Sequence, residues 1–182
     1  MSSRFEQTSS ETIHEGSFIT VERRTYRHED GDEVTREIVT HPGAVGVVVL
    51  DGDRLWLVRQ PREAVGVPDL LELPAGKLDE EGEDPLDTAK RELAEEIGKQ
   101  AEHWVSLGAF FTSPGFANEE IHLFLATGIS DVAERPEIEE DERIDIELVP
   151  LTQIDELLAT NQDSKTLVAL ARLKARLSAP PG

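Results

Sequence analysis

The chain has no cysteine. That excludes a disulfide framework and a thiol nucleophile, and it fits a reducing cytoplasm. No stretch is apolar for long enough to span a membrane, and none reads as a signal peptide. Internal repeats and low-complexity linkers are missing too. Basic residues are scarce: 18 Lys and Arg stand against 38 Asp and Glu, a formal charge of -20. A surface this negative repels nucleic acid and anionic lipid. It also repels phosphate compounds, so a site for them must supply local positive charge. The surplus keeps a protein soluble; a salty or hot habitat is the other explanation. With 182 residues, 38% of them hydrophobic, the chain suits one domain or one domain with a small appendage.

The most informative stretch runs from Gly76 to Gly98. Its Glu92, Glu95 and Glu96 fall at i, i+3 and i+4, which share one helix face. Three crowded carboxylates repel each other, and a stability argument alone does not place them there. A multivalent cation removes the repulsion, and all-oxygen ligands point to a hard ion such as magnesium or manganese. The flanks predict the helix. Asp84 is a good N-cap, Pro85 suits the first position and Asp87 puts negative charge in the first turn. Leu86, Ala89, Leu93 and Ile97 form an apolar stripe, and Gly98 is a left-handed C-cap.

Elsewhere the pattern predicts strands, with the first twelve residues polar and loose. Ser17–Arg27 and Glu33–Val39 form a hairpin about Asp30-Gly31. An apolar strand over Ala44–Leu50 turns at Asp51-Gly52-Asp53 into Arg54–Arg59. Further strands are expected at Trp104–Phe111, Ile121–Ala126 and Ile144–Leu148. Helices are expected at Leu151–Ala159 and Lys165–Leu177. This is an α/β chain, a mixed sheet with helices on its faces.

The segment around the three glutamates resembles a Nudix box, whose pattern is G-x5-E-x7-R-E-U-x-E-E-x-G-U with U apolar. Glu83, Arg91, Glu92, Leu93, Glu95, Glu96 and Gly98 match in spacing. Six residues rather than five separate Gly76 from Glu83, a one-residue loop insertion, and Lys99 stands at the last apolar position. The resemblance implies a Nudix-type α/β/α sandwich over residues 42–182, preceded by a tail and small antiparallel β element over 1–41. Within the family, the bacterial ADP-ribose pyrophosphatases are most similar. The N-terminal hairpin, Arg36 to Gly43, Arg59-Gln60-Pro61-Arg62 and Glu72-Leu73-Pro74-Ala75-Gly76 follow their order.

That resemblance implies roles. Glu92 and Glu96 bind metal directly, Glu95 completes the cluster, and the Ala75 carbonyl adds a neutral oxygen. Glu83 pairs with Arg91. Pro114, 16 residues past Gly98, is associated in the family with ADP-ribose as substrate; an ordinary Ser-Pro-Gly turn is the alternative. A glutamate of the acidic loop, Glu140 or Glu142, is the general base, with Glu95 as the fallback. Arg36 and Arg62 hold phosphate or ribose, or are solvated surface arginines. Phe18 stacks on adenine, or packs in a core. The implied reaction is magnesium- or manganese-dependent hydrolysis of ADP-ribose to AMP and ribose 5-phosphate by a cytoplasmic homodimer. Another nucleoside diphosphate sugar such as GDP-mannose is the alternative substrate, and a non-catalytic nucleotide sensor the alternative class. The intact glutamate set and the lack of an attached DNA-binding domain speak against a sensor.

Overall fold

The computed structural model describes residues 4–78, 80, 82–136 and 143–179. The chain divides into two compact units, one of residues Met1–Gly43 with Phe111–Glu120, the other of Ala44–Phe110 with Ile121–Gly182.

The first unit is a three-stranded antiparallel sheet, β1 (Phe5–Glu15), β2 (Thr20–His28) and β3 (Glu33–Thr40), in that order. The loose N-terminus expected from the sequence is instead an eleven-residue strand. Every residue of β1 is exposed, so no burial pattern marked it. Its register on β2 comes with cross-strand charge pairs: Glu11 meets Arg23 at 3.3 Å and Glu6 meets Arg27 at 3.6 Å. Such pairs contribute a few tenths of a kcal/mol to about 1 kcal/mol each, so the ladder rather than a core holds this strand. The Asp30-Gly31 turn forms as expected, with Gly31 at φ 90°.

The second unit is a seven-stranded mixed sheet. Its strands are β4 (Ala44–Asp51), β5 (Arg54–Arg62), β6 (Val67–Glu72), β7 (Ala75–Lys77), β8 (Lys99–Phe111), β9 (Glu120–Asp131) and β10 (Asp145–Pro150). The main order is β10-β5-β4-β9-β8, with β6 on β5 and β7 on β4. β4 runs parallel to β9 and antiparallel to β5. The helices are α1 (Pro85–Ile97), α2 (Ile154–Thr160) and α3 (Ser164–Ser178). A 3-10 turn over Leu151–Gln153 takes the first residues of the helix expected there.

The apolar run of β4 is explained by its two covered faces. Val45, Val47 and Val49 pack with Ala89, Leu93 and Ile97 of α1. Val48 points the other way, into a cluster with Ile154 and Leu157 of α2 and Leu170 and Leu173 of α3. Each fully buried Val or Leu contributes about 1.5–3 kcal/mol, so two layers of them fix both helical faces on the sheet. Among the described residues no helix is long and apolar enough to cross a membrane.

Candidate functional site

The helix that carries the three glutamates is built as the sequence predicts. The Asp84 carboxylate accepts the Leu86 N–H at 2.9 Å, Pro85 opens the first turn, and Gly98 closes the helix in the left-handed region at φ 68°. The apolar stripe buries Ala89, Leu93 and Ile97 against β4. That anchors the opposite side of α1, and with it the directions of Glu92, Glu95 and Glu96.

Glu92 and Glu96 are buried although they are acids, at 8% and 1% exposure. They lean on the backbone that leads into the helix. The Ala75 N–H donates to Glu96 Oε2 at 3.0 Å. Gly76 lies directly against the Glu92 carboxylate, where a Cβ would overlap it. Glu95 is half-buried. Arg91 ties the acids together. Its Nη1 donates to Glu92 at 2.9 Å and Glu95 at 3.1 Å, and its Nη2 to Glu83 at 3.4 Å. Glu83 also accepts from the Thr88 hydroxyl at 2.8 Å. Burial favours neutral Arg91, but the charges of Glu92, Glu95 and Glu83 outweigh it and raise its pKa above the usual arginine range.

One guanidinium among four carboxylates leaves this face strongly negative. The donor set fits a hard divalent cation. It consists of hard oxygens only, held against a loop backbone that has been kept free of side-chain bulk at Gly76. Among the described residues no three acids or imidazoles stand together so as to hold a metal ion, and the Arg91 guanidinium lies between Glu92 and Glu95.

A second polar cluster lies behind the loop. Glu72 is fully buried. It accepts a two-pronged pair from Arg62, at 2.6 and 2.7 Å, and a hydrogen bond from Lys165. Burial pushes its carboxyl up, but the Arg62 hydrogen bond and the Lys165 charge bring it below the usual value. Lys165 also faces Asp163 at 3.2 Å, and Asp163 caps α3 by accepting from the Thr166 N–H at 3.0 Å. The sequence reading did not find this cluster. Its signal was a single carboxylate, Glu72, inside the apolar run Leu70 to Leu73, which demands a buried cation.

Arg62, an expected phosphate or ribose ligand, thus has one edge of its fork engaged by Glu72. Arg135, also not anticipated, donates to the carbonyls of Glu95 and Glu96 at 3.0 and 2.5 Å, a cation at the C-terminal end of α1. Phe18, Arg36 and Pro114 belong to the first unit. Phe18 is 55% exposed and meets the His41 ring edge-on at 5.8 Å. Arg36 is exposed on β3 and donates to the Thr35 carbonyl at 3.0 Å. Pro114 is exposed in the turn where the Phe116 N–H donates to the Ser113 carbonyl. Glu140 and Glu142 lie outside the described residues.

The sequence model of the NUDIX domain matches residues 40–171. The chain is similar to the ADP-ribose pyrophosphatase of Mycobacterium tuberculosis (strain ATCC 25618 / H37Rv), 45% identical over 139 residues. That match covers 76% of this chain and 66% of the relative, just under two thirds of its length. It is similar as well to the ADP-ribose pyrophosphatase of Bacillus subtilis (strain 168), 39% identical over 92% of this chain and 91% of that one. A solved structure described as an ADP compounds hydrolase shares the fold, with a TM-score of 0.83 at 22% identity over 96% of this chain and 95% of that chain.

Proposed function

This chain belongs to the Nudix family, and we propose that it hydrolyses the diphosphate of ADP-ribose to AMP and ribose 5-phosphate with magnesium, manganese being the substitute. The observation that carries this is the seating of Glu92 and Glu96 on the Ala75-Gly76 backbone. The two relatives with that printed activity direct it to ADP-ribose. A divalent cation bound there neutralises a diphosphate and lowers the pKa of water. Glu92, Glu95, Glu96 and the Ala75 carbonyl hold it, while Arg91 and Glu83 keep the helix face and the loop in register.

In this reading Glu142 or Glu140 takes the proton of the attacking water, with Glu95 as the fallback. Comparing kcat of Glu140→Gln and Glu142→Gln at saturating magnesium decides among them. The true base loses kcat at nearly unchanged substrate affinity, and full kcat in both moves the role to Glu95. Phe18 stacks on adenine, which its exposure supports. Arg36 and the exposed edge of Arg62 hold phosphate or ribose, and Pro114 sets the preference for ADP-ribose.

The protein works as a cytoplasmic homodimer. A three-stranded sheet whose β1 is exposed throughout has little core of its own and gains from a second surface. Sedimentation of a fully active monomer at micromolar concentration overturns the dimer. The substrate assignment is tested by AMP release across a panel of nucleotide sugars. ADP-ribose is expected to give the highest kcat/KM, and a higher value for GDP-mannose reassigns the site.

A further inference from the structure

We infer that Lys165, at the start of α3, is a positioning residue for the metal platform, acting through Glu72 and Thr166 on the loop that seats Glu92 and Glu96. This rests on the reading of that platform as a divalent-cation site. Lys165 is 8% exposed, an unusual place for an ammonium group. It reaches Glu72 and, at 3.2 Å, Asp163. Its neighbour Thr166 accepts the Leu73 N–H at 2.9 Å and donates its hydroxyl proton to Asp163 at 2.6 Å.

The backbone from Leu73 to Ala75 is thereby held from three sides. The Leu73 N–H goes to α3, the Pro74 carbonyl accepts from Val47 of β4 at 2.9 Å, and the Ala75 N–H goes to Glu96 of α1. Glu72 is the residue just ahead of this segment, and Arg62 and Lys165 grip its carboxylate from two elements. A buried ion pair is a poor way to gain stability, since apolar replacements of similar volume often do as well. It is a good way to fix where a segment lies, because the carboxylate has one position that satisfies both cations. The quartet Arg62, Glu72, Asp163 and Lys165 is also neutral in sum.

The prediction concerns metal affinity rather than folding alone. Groups that orient metal ligands from behind typically change affinity by about 10- to 100-fold when removed. Lys165→Met keeps the length and removes the charge. Lys165→Arg keeps the charge, and Thr166→Val removes the hydroxyl that ties Leu73 to Asp163. Binding of Mn2+ is followed by the loss of the free-ion EPR signal, with a thermal melt on each sample to establish the folded fraction.

Folded Lys165→Met is expected to bind Mn2+ about tenfold more weakly, Lys165→Arg to recover most of that loss, and Thr166→Val to weaken binding in the same direction. A lower melting temperature with unchanged Mn2+ affinity in the folded fraction overturns the inference and leaves Lys165 a stability residue. If Lys165→Met does not fold, Thr166→Val decides: unchanged affinity there overturns it equally. If the parent protein binds no Mn2+, the platform reading itself fails and the inference with it.

Discussion

Glu96→Gln is expected to fold normally and to lose about 10²-fold or more in kcat, the scale of a lost charge-stabilising group. Glu96 is 1% exposed and accepts the Ala75 N–H. A glutamine oxygen accepts the same hydrogen bond, so the loop keeps its seat. What disappears is a negative charge among the cation ligands. Removing one of four crowded carboxylates also relieves repulsion, so stability is unchanged or slightly higher. A variant with near-normal kcat takes Glu96 off the ligand list.

Gly76→Ala is the complementary experiment, since it leaves every carboxylate in the sequence and moves one in space. A Cβ at Gly76 would occupy the place of the Glu92 carboxyl group. The obstruction is the far end of a flexible side chain, so the fold yields at small cost and the melting temperature changes little. The Glu92 carboxylate must leave its place, and a displacement of about 1 Å in such a site is enough to cost about 10²-fold. Activity therefore falls by about that factor in kcat/KM while the protein stays folded. If Gly76→Ala keeps full activity, the observed position of Glu92 is not the working one.

The site helix was legible because its signals are local. Cap, first-turn proline, apolar stripe and C-terminal glycine all fall within one segment, and each appears in the structure where the spacing puts it. The Glu83–Arg91 pair was legible for the same reason, as it closes a gap of a single loop and two turns. β4 was legible from its unbroken apolar run. β1 was not, because it is held by a ladder and by charges from β2, with no buried residue to give it a period. The ion-paired quartet was hidden differently. Lys165 and Glu72 are 93 residues apart, and nothing in either neighbourhood says which cation meets which acid. β6 and β7 are short, and Pro68 inside the first and Pro74 just ahead of the second disguise them as loop.

The central claim is a cation-dependent cleavage of ADP-ribose on the Glu92, Glu95, Glu96 face. The most direct measurement is product formation from ADP-ribose with magnesium, and again with chelator in excess. AMP and ribose 5-phosphate are expected in equal amounts with magnesium, and no turnover is expected with chelator. Equal activity in chelator, or no AMP from ADP-ribose at saturating magnesium, contradicts it.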